Sequence, residues 1–325
     1  MAPLLDVRHL SVHFRTAGAL AQAVDDISFH LEPQETLALV GESGCGKTAT
    51  ALALARLQPA SALVSGSVLL AGISVFDLPA SRLPFFRGRQ IGIVFQEPAA
   101  SFNPIYRLGA QLAEVIRLHH GVGRNAAWAA GLEWLRRVQL SEAERVARQY
   151  PHEVSGGMLQ RVAIAMALAG KPRLLIADEP TTALDVTLQA EILALLRQLT
   201  RELGMALLLI THDLDIVRTA ANTVAVMYAG RIVEHGSIGQ VLQRPLHPYT
   251  AALLACRPRL GQTGRLPSIE GNLPPATQIP AGCRFYERCS FRTEQCRQEP
   301  PLEEHSAGHG AACWHSDRLS GLSPT

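Results

Sequence analysis

Short apolar runs that end at glycine, acid or amide residues recur along the chain, separated by stretches with helical spacing. Leu5 to Phe14 and Ala23 to Leu31 alternate as strands with one buried face do, and Gly18 stands near the turn between them. Thr36 to Val40 is apolar and ends at Gly41, and Ala49 to Leu57 predicts a helix soon after it. Gly66 to Gly72 predicts a short strand, and Ile91 to Phe95 a buried one that stops at Gln96-Glu97-Pro98. Between Asn103 and Gln149 the positions Leu108, Leu112, Val115, Ile116 and then Leu132, Leu135, Val138, Leu140 recur at helix spacing, broken at Gly121-Val122-Gly123. A polar loop, Tyr150 to Gly157, leads into a helix over Met158 to Ala169. Arg173 to Ala177 and Ala206 to Ile210 predict buried strands on either side of a helix over Val186 to Leu203. Strands alternating with helices predict an α/β fold with a parallel sheet, the Asn103 to Gln149 block being a helical insert. Thr223 to Tyr228 and Arg231 to Val233 flank Ala229-Gly230 as a hairpin. Beyond about Val241 proline and glycine become frequent and periodicity fades, which puts a boundary near Pro245 to Pro258 and a loop-rich segment after it.

Composition narrows the partners. The 325 residues, 47% hydrophobic, suffice for one large domain with an appendage. A net charge of +2 is too balanced for nucleic acid to be the main partner. No window approaches the ~18 uninterrupted apolar residues of a membrane span, and Met1 to Leu10 lacks the pattern of a secretory signal. The expectation is a cytosolic protein, where disulfides do not persist. Six cysteines then need another reading: Cys45 and Cys256 are isolated, while Cys283, Cys289, Cys296 and Cys313 crowd the last 45 residues.

The most specific chemistry is Gly41-Glu42-Ser43-Gly44-Cys45-Gly46-Lys47-Thr48. It lies between a predicted strand and a predicted helix, the context that a G-x-x-x-x-G-K-[ST] phosphate loop requires. The glycines let successive N–H groups converge on an anion, and the helix N-terminus adds its positive dipole end. Lys47 reaches the β- and γ-phosphates in such a loop, and the Thr48 hydroxyl meets a magnesium ion. Asp178 and Glu179 end a predicted strand, where the first can hold magnesium and the second can act as base toward water. Gln96 and His212 also end strands, positions suited to magnesium or water and to the γ-phosphate. Ser155-Gly156-Gly157-Met158-Leu159-Gln160 opens a helix as a second anion-binding pattern without a lysine, suited to a nucleotide held by another subunit.

Taken together, these segments resemble the ATP-binding subunit of ABC transporters. The phosphate loop looks like Walker A, Gln96 like the Q-loop and Ser155 to Gln160 like the signature. Leu174 to Asp178 with Glu179 looks like Walker B plus the catalytic glutamate, Ala183-Leu184-Asp185 like the D-loop, and His212 like the H-loop. The resemblance implies a RecA-like core with an N-terminal antiparallel β subdomain and a helical signature subdomain. It makes Phe14, a core residue by position alone, the aromatic that stacks on adenine. It implies ATP and Mg2+, the latter on Thr48, Gln96 and Asp178, and a head-to-tail dimer in which each ATP lies between one subunit's Walker motifs and the partner's signature. A soluble ABC-type ATPase is the rival class, but it usually carries a long coiled-coil insertion or two cassettes, and this chain has neither.

Finer detail resembles the importer branch for peptides, with nickel or metallophore cargo as the alternative. It rests on Pro151-His152-Glu153-Val154, Thr182 to Ala190, His247-Pro248-Tyr249-Thr250, Leu266 to Gly271 and Pro280 to Cys289. The implied setting is the cytoplasmic face of the inner membrane, with a second ATPase subunit (a paralogue), two transmembrane permease subunits and an external substrate-binding protein. The tail cysteines are spaced C-x5-C-x6-C-x16-C, unlike the paired C-x2-C of common zinc ribbons. Four thiolates suit a zinc ion or an iron–sulfur cluster, and the resemblance favours a [4Fe-4S] cluster on Cys283, Cys289, Cys296 and Cys313. The expected division is an ATP-binding domain over residues 1–244, with its helical insert at about 97–170, and a C-terminal accessory domain over 245–325.

Overall fold

A computed structural model describes residues 2–16, 18–182, 184–257 and 268–319. Ala183, Pro258, Leu266 and Pro267, which figured in the sequence reading, lie outside the described residues. The chain forms two compact units, one from Met1–Leu31, Glu35–Phe76 and Thr211–Thr325, the other from Glu32–Gln34 and Asp77–Ile210.

In the first unit Ala19–Leu31, Leu5–Thr16, Ala62–Leu70 and Ile73–Ser74 lie side by side as an antiparallel sheet. The third strand starts four residues earlier than its sequence suggested, because Gly66 lies inside it rather than at its start. Gly66 has φ of 101°, and a Cβ there would meet the His9 carbonyl at 2.4 Å. It sits where the pairing slips between Arg8 and Ser11, a bulge that only glycine fills without a clash. A second set of strands begins with Thr36–Val40, all five residues buried, parallel to Thr223–Tyr228. The expected hairpin follows, its second strand running on to Ser237.

The segment after Val241 carries more regular structure than its loop-rich composition suggested. Pro248–Ala255 is a helix with proline in its first turn and His247 as its cap. Glu303–Ser306 and His309–Ala311 form a hairpin that extends the sheet on Arg231–Ser237. A buried hydrogen bond secures it, between His309 Nε2 and Glu234 Oε1 at 2.9 Å, while the Glu234 carboxylate also accepts from the Leu246 and His247 amides. Phe285 packs on Tyr228 and Tyr249, with ring centroids 5.2 and 5.5 Å away, in a cluster that includes Val40 and Val226. Burying such a ring contributes on the order of 2–3 kcal/mol, so the tail is held by apolar packing as well as by buried hydrogen bonds.

In the second unit Ile91–Val94, Leu174–Asp178 and Ala206–Thr211 pair in parallel. Both longer strands are buried at every residue, which explains their unbroken apolar runs. The helix Val186–Leu203 is capped by Asp185, whose carboxylate accepts from the Leu188 amide, and stops at Gly204 with φ of 63°. The helical insert resolves into Leu108–His120, Arg124–Arg137 and Ala143–Arg148, followed by Gly156–Leu168. Among the described residues no helix is long and apolar enough to cross a membrane.

Candidate functional site

The phosphate-loop sequence of the first unit turns between the strand Thr36–Val40 and the helix Lys47–Leu54. Two of its glycines are forced by close approach. A Cβ on Gly41 would stand 2.2 Å from the Met227 carbonyl oxygen, and one on Gly46, where φ is 113°, 2.2 Å from that of Ala23. Ser43, Gly44 and Thr48 are exposed, leaving the mouth of the loop open. Lys47 is buried, and its Nζ donates to the carbonyls of Gly41 at 2.8 Å and Glu42 at 3.0 Å. The ammonium is thus held inside the turn, positioned toward whatever anion the loop amides take. Cys45 is buried against the same turn, and burial pushes its thiol pKa up, so it stays a neutral packing group.

Glu42 is held from two sides by the tail. Its amide donates to the Tyr249 hydroxyl at 2.8 Å, and its carboxylate accepts both arms of the Arg288 guanidinium at 2.8 and 2.9 Å. His212 is exposed just beyond Ala206–Thr211. Phe14 is half-buried on the strand Leu5–Thr16, opposite Ala21 and Ala62, and does not belong to the buried core.

The second unit supplies the acids. Asp178 ends its strand fully buried, and Glu179 follows in the left-handed region with φ of 45°. A glutamate there is strained by roughly 1–3 kcal/mol. Its amide is tied to the Ile210 carbonyl at 2.9 Å, and its carboxylate accepts from Gln96 Nε2 at 3.2 Å and Thr182 Oγ1 at 2.9 Å. A carboxylate oriented by two neutral donors keeps acceptor capacity for a water proton. At the other candidate site Ser155 caps Gly156–Leu168, accepting from the Met158 amide, while Ser155 and Gly156 face solvent. A Cβ on Gly157 would meet Leu188 at 2.4 Å, and Gln160 is buried beneath the exposed turn.

Within the first unit the structure gathers the loop residues Gly41 to Thr48, and within the second it gathers Gln96, Asp178 and Glu179. Sequence reasoning assigned no role to Thr182, Tyr249 or Arg288. Thr182 had one weak signal, a hydroxyl three residues after the glutamate, whereas Tyr249 and Arg288 meet Glu42 only through folding.

The four tail cysteines line one shallow recess, together with His247, His315 and apolar and aromatic residues such as Phe285, Phe291 and Trp314. The Cys283 amide donates to the Cys296 carbonyl at 2.9 Å, and burial raises the Cys283 thiol to about 12 and that of Cys313 to about 11. Among the described residues no three His, Cys, Asp or Glu side chains converge tightly enough to hold a single metal ion. That geometry gives support to neither a zinc ion nor an iron–sulfur cluster on these thiols. Four thiols on one recess are the donor set that either group would use.

A strand–loop–helix phosphate site and an acid-ended parallel strand define a nucleoside-triphosphatase of the α/β class. The profile described as ABC transporter matches residues 24–182, and that described as oligopeptide/dipeptide transporter, C-terminal region, matches residues 233–296. A putative peptide import ATP-binding protein of Brucella abortus (strain 2308) is 48% identical over 314 residues, 96% of this chain and 95% of that protein. The oligopeptide transport ATP-binding protein OppD of Haemophilus influenzae is 46% identical over 317 residues, 97% of this chain and 98% of that protein. An ATP-binding cassette solved as a dimer in a post-hydrolysis state with ADP and Pi superposes with a TM-score of 0.65 at 26% identity, over 72% of this chain and 98% of that one. The chain belongs to the ABC transporter family, as one of its ATPases with the oligopeptide/dipeptide-type C-terminal region.

Proposed function

We propose that this chain is the ATP-hydrolysing subunit of an importer that carries peptides across the cytoplasmic membrane. The observation that carries the chemistry is the Glu179 carboxylate, oriented by Gln96 and Thr182 at the end of a buried strand. The peptide cargo rests on the printed names of relatives that span nearly the whole chain, and none of those quoted is named for nickel. The ATP-binding domain is residues 1–244, with the helical insert at about 97–170, and residues 245–325 form the accessory domain.

ATP lies with adenine on Phe14 and its phosphates on the amides of Gly41 to Thr48, where Lys47 neutralises the β- and γ-phosphates. Thr48, Gln96 and Asp178 are the groups that would hold Mg2+, which would offset negative charge on the phosphates. Glu179 takes the proton from the attacking water, and His212 contacts the γ-phosphate. Asp185 and the signature residues Ser155, Gly156, Gly157 and Gln160 serve the nucleotide across a head-to-tail pair. The solved cassette that resembles this chain was captured as a dimer, which supports that reading. The second ATPase subunit is a paralogue, and the pair works on two permease subunits at the inner face of the membrane, fed by an external substrate-binding protein. Deleting the chain from its source cell is expected to abolish uptake of labelled di- and oligopeptides and leave 63Ni uptake intact. Loss of nickel uptake with peptide uptake unchanged would transfer the cargo to the alternative.

Cys283, Cys289, Cys296 and Cys313 are the ligands we assign to a [4Fe-4S] cluster, which would cross-link a short segment too small to build a full core of its own. Anaerobically purified protein is expected to absorb broadly near ~400 nm and to contain about four irons per chain, as thiolate-bound clusters do. A colourless protein with one zinc per chain would refute the assignment.

A further inference from the structure

The tail grips the phosphate loop's one carboxylate through Arg288, beside the Tyr249 contact to the same residue's amide. Arg288 is almost fully buried, and both of its terminal nitrogens grip the Glu42 carboxylate at 2.8 and 2.9 Å. The guanidinium is itself held on every side. Its Nε donates to the Glu270 carbonyl at 2.9 Å, its Nη2 to that of Ile269 at 3.3 Å and its Nη1 to the Tyr228 hydroxyl at 3.3 Å. Its plane lies 5.7 Å over the Tyr228 ring and 5.8 Å over Phe285. A fork fixed in this way sets the orientation of the carboxylate it binds as well as neutralising it. Glu42 is a member of the loop, and its carbonyl is one of the two that hold the Lys47 ammonium. Its amide, one of the loop's N–H groups, is fixed by Tyr249, also from beyond residue 244.

We infer that Arg288 is a positioning residue for nucleotide binding, acting through Glu42 to keep the phosphate loop and Lys47 in the binding conformation. The C-terminal segment is then part of the ATP site's scaffold, and its attachment sets nucleotide affinity. This inference rests on reading Gly41 to Thr48 as the phosphate loop. A loop that must be reorganised before it binds loses affinity in proportion to the population of the competent form, while the hydrolytic step, carried by Glu179, is unchanged once ATP is bound.

The test uses the full-length chain and titrations with mant-ATP in the presence of Mg2+, with thermal melting followed on each variant. Arg288→Ala is expected to weaken mant-ATP binding about tenfold with unchanged stoichiometry, and to raise KM while kcat stays within about twofold of the parent protein. Glu42→Gln, which keeps hydrogen-bond acceptance but not the charge, is expected to fall between the two. The double variant is expected to bind no more weakly than Arg288→Ala alone, since both changes break one contact. Arg288→Lys, which cannot grip with a fork, serves if the alanine variant does not fold, and is expected to weaken binding severalfold. Mant-ATP affinity within twofold of the parent in folded Arg288 variants overturns the inference, as does a loss confined to melting temperature and binding stoichiometry, which marks a merely structural contact. Lys47→Ala separates the two readings: if it abolishes binding and the Arg288 variants do not weaken it, the phosphate loop stands and only the positioning role fails.

Discussion

Glutamine in place of Glu179 is expected to cut ATP turnover by roughly 10²–10⁴-fold, the range that a positioned general base contributes, while leaving ATP affinity close to that of the parent. The substitution changes almost nothing but the charge. The side chain keeps its length, and its amide oxygen still accepts from Gln96 Nε2 or Thr182 Oγ1, which lie 3.2 and 2.9 Å from the carboxylate. The left-handed backbone at this residue, φ of 45°, is also retained, since its amide remains tied to Ile210. The lost element is the basic oxygen that takes a proton from water. Because binding survives and hydrolysis does not, the variant should accumulate as an ATP-bound closed dimer, visible by size-exclusion chromatography with Mg-ATP present. Single-turnover phosphate release measures the chemical step directly, and release at a rate within tenfold of the parent protein would remove Glu179 from the base position.

Removal of the Lys47 ammonium acts on the opposite quantity. Lys47→Ala is expected to weaken Mg-ATP binding by about 10- to 100-fold, the loss of one or two charge-assisted hydrogen bonds to phosphate at ~1.5–3 kcal/mol for each. Without nucleotide the ammonium donates to the Gly41 and Glu42 carbonyls, so truncation removes a donor from each, although the Glu42 carbonyl still accepts from the Cys45 amide at 3.3 Å. A decrease in the melting temperature of the free protein should therefore accompany the loss of affinity. Isothermal titration with Mg-ATP gives the first quantity and differential scanning calorimetry the second. Unchanged ATP affinity in the folded variant would sink the phosphate-loop assignment.

The candidate site divides into what neighbouring residues encode and what distant ones contribute. Gly41 to Thr48 is legible because a glycine-rich turn between an apolar strand and a helix is a local property, and the strand and helix appear as read, within two or three residues at either end. Asp178 and Glu179 are legible for the same reason, as acids ending a continuous apolar run. The partners of those residues are not. Gln96 and Glu179 are 83 positions apart, and Glu42 and Arg288 are 246 apart. No period or spacing in one sequence signals such pairs.

The region after Val241 shows where pattern reading fails. The helix Pro248–Ala255 is short and apolar on nearly all sides, so it has no polar face to reveal its period. The strand Glu303–Ser306 is exposed at all four residues, so it has no alternation, and it is held by backbone pairing to His309–Ala311. The sequence alone determined the α/β class, the phosphate loop, the acid-ended strand and the grouping of four cysteines near one end, because each is written in contiguous residues. Only the tertiary structure decided that Thr182 orients Glu179, that the four cysteines line one recess, and that Arg288 holds the loop through Glu42. Those arrangements depend on side chains brought together by burial and ion pairing across long stretches of chain, which no local pattern records.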